Sequence, residues 1–372
     1  MSFLKGLEAF QARMEEEEVA SQETSVDVEV RVAEEVEEAT SIVEEATTII
    51  NDAEASEVAA EEVEALEHFV ASIKKHGLTP QGLELINHKG ALEAFSGMTL
   101  PAVESLDATG RNYEAGQEAT EAGEGAIRRA MTAIKQFFIN LWNRVKALAT
   151  KFVTYVTAFE GSIARSKKSV EGVEMDAEKA GKKTVGMTMA TLKSMADSYS
   201  KVCKGNFDSN AAKTENGVIK MMDDKATHLT TIGLELKDGK LTTITPPAVA
   251  EKKEALKLSE SGFTPASCAT IYNDIAEAVK NMREVGKFAK VIETICKMGE
   301  AAANSASKSN GTEAKEEVKI LQKNAGDASK IFGVLASKGG VIPRAYITAC
   351  AAVKACDKGA APAEKKEEKK AE

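Results

Sequence analysis

Cysteine and histidine side chains are the groups in this chain best suited to nucleophilic or metal chemistry. The cysteines are Cys203, Cys268, Cys296, Cys350 and Cys356, and the histidines are His68, His76, His88 and His228. No two cysteines form a Cys-x-x-Cys pair, and an odd number of thiols indicates reduced cysteines in a reducing compartment. Three of the four histidines lie before residue 100, far in sequence from every cysteine. We therefore predict that the cysteines are small apolar core residues.

Signatures of the common catalytic and cofactor-binding sites are absent from the sequence. It has no GxxxxGK(S/T) phosphate loop, no GxGxxG loop, no HExxH motif, no GxSxG elbow and no EF-hand loop. Asp223, Asp224 and the glutamate runs offer carboxylates, but no spacing among them defines a coordination shell. The sequence predicts a protein that is not an enzyme, with no metal site and no cofactor.

Charge is divided unevenly between the two ends of the chain, whose formal net charge is −10. Residues 1–124 carry 29 acidic and 7 basic side chains, a net charge of −22. Residues 125–372 carry 29 acidic and 41 basic side chains, a net charge of +12. Aromatic residues make up 5% of the chain and prolines number 7, which favours helices over an all-β fold.

The acidic leader, residues 1–104, has apolar residues at helical spacing among its glutamates. They are Val36, Ile42, Val43, Ile49, Ile50, Val58, Val63, Leu66 and Val70. Alone, so acidic a segment repels itself and buries little, which predicts disorder or a frayed helix. Against a partner, for example a basic one, the spacing predicts an amphipathic helix. A solvated run of charge is the alternative, and the sequence leaves both open.

Residues 126–160 show the clearest helical period in the chain. Apolar residues recur every three or four positions, at Ile127, Met131, Ile134, Phe138, Leu141, Val145, Leu148, Phe152, Tyr155 and Phe159. The basic residues of this helix are Arg128, Arg129, Lys135, Arg144, Lys146 and Lys151. Such a helix lies on an anionic membrane, follows a phosphate backbone, or packs into a helical core with a basic outer face. No signature for reading DNA bases is present.

Further helices are predicted over residues 174–204, 209–229, 248–258, 265–304, 312–336 and 343–356. Between them, Asp238-Gly239 flanked by spaced leucines predicts one β-hairpin at about residues 231–245. We expect no signal peptide and no membrane-spanning helix, because no apolar run reaches the required length.

These elements predict a mainly α fold, with a helical bundle body and one small β-hairpin, preceded by a leader that is partly disordered or helical. The predicted units are the acidic leader (1–104), a flexible glycine-rich junction (105–125), a basic helical body (126–356) and a disordered charged tail (357–372).

An acidic leader, a small polar junction and a basic helical body together resemble the internal head proteins of giant phages related to phiKZ. The resemblance implies a non-enzymatic structural protein inside the phage head, made in the host cytoplasm. It also implies a prohead protease that removes the acidic leader as a propeptide. The implied partners are this protease, other head proteins and the packaged DNA, which the protein would contact without sequence preference or accompany on ejection.

In that family the protease cuts after a small residue-x-Glu sequence. Matches here include the triplets that end at Glu93, Glu104, Glu118 and Glu124, which are the candidate cleavage residues. A three-residue pattern has low specificity, because Glu57 and Glu67 also end matching triplets. An acidic leader would mask the basic body during assembly, and its removal would expose cations to DNA.

Two other functional classes fit the same residues. One is a membrane-active or lipid-binding protein with peripheral membrane contact through the amphipathic helix 126–160. The other is an intracellular helical adaptor that uses the acidic helix as a partner-binding strip and keeps residues 1–124 attached.

Overall fold

The fold is mainly α-helical, as predicted. The computed structural model describes residues 25–77, 79, 113–205, 208, 210, 213–245, 256–308 and 312–359. In chain order the elements are α1 (Ser25–His76), α2 (Tyr113–Ser169), α3 (Ala177–Lys182), β1 (Thr184–Val185), α4 (Met189–Cys203), α5 (Gly217–Lys220), a 3₁₀ turn (Asp223–Lys225), α6 (Ala226–Ile232), β2 (Leu234–Lys237), β3 (Lys240–Thr243), β4 (Leu256–Lys257), α7 (Leu258–Ser261), α8 (Pro265–Met282), α9 (Val285–Lys308) and α10 (Thr312–Lys354).

The four long helices α1, α2, α9 and α10 form a bundle. Both α1 and α9 pack against α2 and against α10. Lys135 of α2 lies 3.8 Å from Glu300 of α9, and the Phe138 ring fills the space that a Cβ on Gly299 would take. The glycine thus lets α9 approach α2 closely.

The apolar stripe of α2 faces the core of this bundle. Each of the apolar positions predicted between Ile127 and Phe159 is buried. Three environments were predicted for this helix: a membrane surface, a phosphate backbone and a helical core. In the structure it packs into a helical core. Burial of a continuous stripe explains why α2 is helical despite a polar outer face.

The shorter elements pack beside α10. Helix α4 contacts α8, and α6 contacts α4. The Tyr346 hydroxyl of α10 donates to the Cys268 carbonyl of α8 at 3.1 Å, and the Lys330 ammonium donates to the Leu241 carbonyl of β3 at 3.2 Å. These bonds join the smaller elements to the bundle.

The predicted hairpin is confirmed. Strands β2 and β3 pair antiparallel, with Lys237 opposite Lys240 across the turn. Asp238 and Gly239 have φ of 51° and 70°, as a two-residue type I′ turn requires.

A second small sheet was not predicted. Strands β1 and β4 pair antiparallel, with Thr184 opposite Lys257 and Val185 opposite Leu256. Each strand is two residues long and the partners are distant in sequence, so no local pattern signals the pairing. Consequently the prediction of one continuous helix over 174–204 is wrong: β1 separates α3 from α4.

Three other predicted helices have different bounds. The predicted helix 265–304 is divided at Arg283 and Glu284, where the backbone switches to three-residue turns. In place of the predicted helix 209–229, the structure has α5, the 3₁₀ turn and α6. Of the predicted helix 248–258, only residues 256–258 are described, and they form β4 and the start of α7.

Helix α10 spans the predicted gap between 336 and 343. Pro343 lies inside it. Proline normally clashes with the carbonyl four residues earlier, which here belongs to Gly339. The Tyr155 hydroxyl donates to the neighbouring Gly340 carbonyl at 3.2 Å. A glycine pair and a tertiary hydrogen bond therefore accompany the proline in a continuous helix.

The predicted junction and tail fall partly outside the described residues. Of the junction, residues 113–125 form the first turns of α2, and 105–112 lie outside. Of the tail, Asp357 pairs with Met175 and the Lys358 amide donates to the Glu174 carbonyl, while 360–372 lie outside. No helix in the described ranges is long and apolar enough to cross a membrane.

Candidate functional site

Acidic side chains of α1 pair with basic side chains of α2. Asp52 pairs with Arg144, and Glu45 pairs with Lys151. Toward the other end of the contact the base is on α1 and the acid on α2: Lys74 of α1 donates to Glu124 of α2. The partners on α2 advance from 124 to 151 as those on α1 go back from 74 to 45, so the two helices run antiparallel.

Helix α10 provides a second row of contacts to α1. Glu67 lies between two lysines one turn apart, with its carboxylate oxygens 3.2 Å from Lys315 Nζ and 3.5 Å from Lys319 Nζ. The three side chains are between 17% and 28% exposed, so this cluster is half-buried. Arg344 donates to the Thr40 hydroxyl at 3.2 Å. Helix α1 is therefore antiparallel to α10 as well as to α2.

An apolar seam on α1 lies between these two rows. Its buried residues are Ile42, Ala46, Ile49, Ala53, Leu66, Val70 and Ile73. The helices approach closely at Gly333 of α10, where an added Cβ would lie 2.6 Å from Ile50 Cγ1 and 2.9 Å from the Ala46 carbonyl oxygen. The spacing of three and four that the sequence showed in the acidic leader thus places one face of α1 in a groove formed by α2 and α10.

The seam contributes more to the docking of α1 than the ion pairs do. In the two pairs with α2, side chains are between 35% and 54% exposed, and such pairs contribute at most about 1 kcal/mol each. Burial of a Val, Leu or Ile side chain contributes about 1.5–3 kcal/mol. For the five large residues of the seam the sum is on the order of 10 kcal/mol before entropic costs. Apolar burial is therefore the main contribution to the docking of α1.

Glu124 shows the electrostatic effect of the interface. The hydrogen bond from Lys74 lowers the pKa of the Glu124 carboxyl. Slight burial opposes this, while the positive charges of Lys74, Arg128 and Lys315 lower the pKa further. The carboxylate therefore stays ionised to a lower pH than an ordinary glutamate would, and keeps its bond to α1 there.

The sequence model of phiKZ-like phage internal head proteins matches residues 15–201, just over half of the chain. The matched range contains the whole of α1 and of α2. The chain belongs to this family. It is a structural protein of the virion, located inside the phage head. No curated protein and no solved structure matched the chain.

The six basic residues predicted on α2 of this internal head protein fall into two groups. Arg144 and Lys151 face α1 and pair with its acids, and Lys135 faces Glu300 of α9. The other three, Arg128, Arg129 and Lys146, are exposed, and the paired Arg144 and Lys151 also remain 48% and 54% exposed. The structure thus does not gather the six into one patch.

Sequence reasoning missed the basic residues of α10. Lys315, Lys319 and Arg344 also contact α1, at 3.2, 3.5 and 3.2 Å respectively. The four-residue spacing of Lys315 and Lys319 is a visible signal, because it places both on one face of a helix. Nothing local identifies that face as the one against Glu67, since the two helices are more than 200 residues apart.

The candidate cleavage residues of the internal head protein lie between α1 and α2 or within α2. Glu93 and Glu104 lie outside the described residues. Glu118 and Glu124 are in the first turns of α2, and Glu124 is held by Lys74. The cleavage pattern itself stays a prediction.

All five cysteines are buried free thiols, as predicted. Burial raises the pKa of Cys203 and of Cys296 to about 12. A hydrogen bond between the Cys268 and Cys350 thiols lowers the pKa of the former and raises that of the latter. In the part of the chain that the structure describes, no three His, Cys, Asp or Glu side chains are placed to hold a metal ion.

Proposed function

We infer that this internal head protein is made as a precursor in which α1 masks basic surface on α2 and α10. In this proposal the prohead protease removes the acidic leader, and the basic body then associates with the packaged DNA. The observation that carries it is the pairing of α1 acids with cations of both helices: Asp52 with Arg144, Glu45 with Lys151, and Glu67 with Lys315 and Lys319.

The charge change on cleavage supports DNA association. A cut after Glu104 leaves residues 105–372 with a net charge of +8, compared with −10 for the whole chain. Association with DNA through lysine and arginine needs no base recognition and weakens steeply with salt. A protein packed with DNA of any sequence needs this kind of contact, and a structural role of this kind requires no catalytic activity.

The geometry favours a cut between the two helices. A protease binds its substrate in an extended form, so Glu118 and Glu124 become accessible only if the first turns of α2 unwind. Glu93 and Glu104 precede α2, so cleavage there would leave both helices whole. We favour these two positions.

Mass spectrometry of the protein from purified virions tests the processing. We expect a mature N-terminus at Ala94 or Ser105. A chain in the virion that still contains α1 in covalent connection with α2 would overturn the proposal.

DNA binding tests the masking. We expect residues 105–372 to bind random-sequence duplex at least about ten-fold more tightly than the full chain at low salt, with a steeper loss of affinity as salt rises. In case this fragment does not fold, the full chain carrying Glu45→Gln, Asp52→Asn and Glu67→Gln serves as the second unmasked form, in which α1 stays docked but the cations facing it have lost their acidic partners. Equal binding by the full chain, the variant and any folded fragment would contradict masking.

Matched variants separate masked from unmasked cations. Replacement of Arg144 and Lys151 by Gln should weaken binding by the unmasked form and leave the weak binding of the full chain unchanged. Replacement of the exposed Arg128 and Arg129 by Gln should weaken both forms to a similar degree. If both pairs affect both forms alike, α1 does not cover the DNA-binding cations.

A further inference from the structure

The groove between α2 and α10 binds α1 through contacts that lie on the helices themselves. The described contacts of α1 run from Thr40, against Arg344, to Lys74, against Glu124. This is a docked length of about 50 Å at 1.5 Å per residue. All of these contacts are between residues of α1, α2 and α10, whereas most of the covalent connection between α1 and α2, residues 78 and 80–112, lies outside the described residues.

The apolar seam is insensitive to charge screening. Ile42, Ile49 and Val70 are each at most 4% exposed, and burial of apolar surface does not weaken as salt rises. The close approach at Gly333 also places backbone and side-chain atoms of α1 directly on α10. High salt weakens the exposed ion pairs and leaves this seam in place.

We propose that a cut between α1 and α2 leaves α1 bound in the groove between α2 and α10 as a separate chain. The groove is thus a binding site for an acidic amphipathic helix, and α1 is its ligand in trans. Removal of the acidic helix then requires a second event that fragments or unfolds α1. The inference rests on the proposed function, since it concerns the fate of α1 after the cleavage.

An engineered cut tests this without the phage protease. A recognition sequence for an unrelated site-specific protease is inserted between Gly110 and Arg111 of the full chain, and the purified protein is nicked and separated by size-exclusion chromatography. We expect the two fragments to elute together at 50 mM and at 1 M NaCl, with the apparent dissociation constant changing less than about ten-fold. Separation of the fragments at low salt would overturn the proposal.

Two matched variants decide which contacts hold the helix. In Ile42→Asp with Ile49→Asp, the seam receives two charges, and the nicked fragments should separate. In Asp52→Asn with Glu45→Gln, the ion pairs with α2 are lost and the fragments should still elute together. Release by the second variant as readily as by the first would overturn the apolar basis of docking. If the first variant does not fold before nicking, the nicked unaltered protein and the charge variant are compared instead. That comparison still shows whether α1 stays bound without its ion pairs to α2.

Failure of this experiment is distinguishable from failure of the proposed function. An α1 that leaves the nicked protein at once is compatible with processing in the virion and with masking in the precursor. An unprocessed virion protein, conversely, leaves the trans binding of α1 measurable with the engineered cut.

Discussion

Gly333 is the residue on which a close contact between α1 and α10 depends. Alanine is a better helix former than glycine by about 1 kcal/mol, so Gly333→Ala would stabilise an isolated helix. Here its methyl group would meet Ile50 and the Ala46 carbonyl at less than 3.0 Å. We expect a net destabilisation of about 1–3 kcal/mol, measured by urea unfolding of the full chain.

Gly125→Ala is the matched control for this substitution. Gly125 lies in α2, and its added methyl group would make only an ordinary contact with the Arg129 guanidinium at 3.7 Å. It should stabilise the chain by up to about 1 kcal/mol. If both alanines stabilise, α1 does not approach α10 as closely as the structure shows.

The thiols provide a second prediction at the scale of residues. Cys203 and Cys296, with pKa values raised to about 12 by burial, have only about one thiolate in ten thousand molecules at pH 8. All five cysteines are buried, so an aromatic disulfide reagent should label none of them rapidly in the folded chain. Labelling should reach five after unfolding in urea. Rapid labelling of a thiol in the native protein would show that the segment around it opens.

Among the smaller elements, the hairpin β2–β3 depends on the conformation of its turn. Gly239 has a φ of 70°, and an added Cβ there would meet nothing within 4 Å. Gly239→Val should therefore destabilise the chain by about 1–2 kcal/mol through backbone strain alone. Gly186→Ala, also free of contacts within 4 Å and without a positive φ, should be neutral or slightly stabilising. Thermal unfolding compares the two, and equal midpoints would argue against a type I′ turn.

The sequence predicted elements well where the signal is local. The stripe of α2 and the Asp238-Gly239 turn depend on neighbouring residues, and both are in the structure as predicted. The pairing of β1 with β4 and the continuity of α10 through Pro343 depend on partners far along the chain. Propensity rules account for the proline but not for the Tyr155 hydroxyl, which donates to the Gly340 carbonyl three residues before it. The errors in helix bounds therefore follow from tertiary contacts that override local preference.

The candidate site was predictable in part for the same reason. The spacing in the acidic leader left open an amphipathic helix against a partner and a solvated run of charge, and in the structure the apolar face of α1 is buried. The partner lies in the same chain and consists of two helices. The α2 half was among the predicted basic residues, whereas Lys315 and Lys319 were not, because only the folded bundle brings α10 against Glu67.

At the scale of the whole molecule, the net charge depends on which chains stay together. A cut after Glu104 gives a leader of net charge −18 and a body of net charge +8. If α1 remains in its groove, the nicked complex keeps the −10 of the precursor. A single cut then leaves the net charge of the complex unchanged until α1 is removed.

Ion-exchange chromatography at pH 7 makes this difference visible. We expect the full chain, cut at an engineered site directly after Glu104, to bind an anion exchanger and to elute close to the uncut chain, because both have a net charge of −10. After unfolding in urea, the leader should still bind the anion exchanger, whereas the body should bind a cation exchanger. A body that binds the cation exchanger directly after the cut, without urea, would mean that one cleavage suffices to expose the DNA-binding cations. The charge switch would then occur at the cut and not at the release of α1.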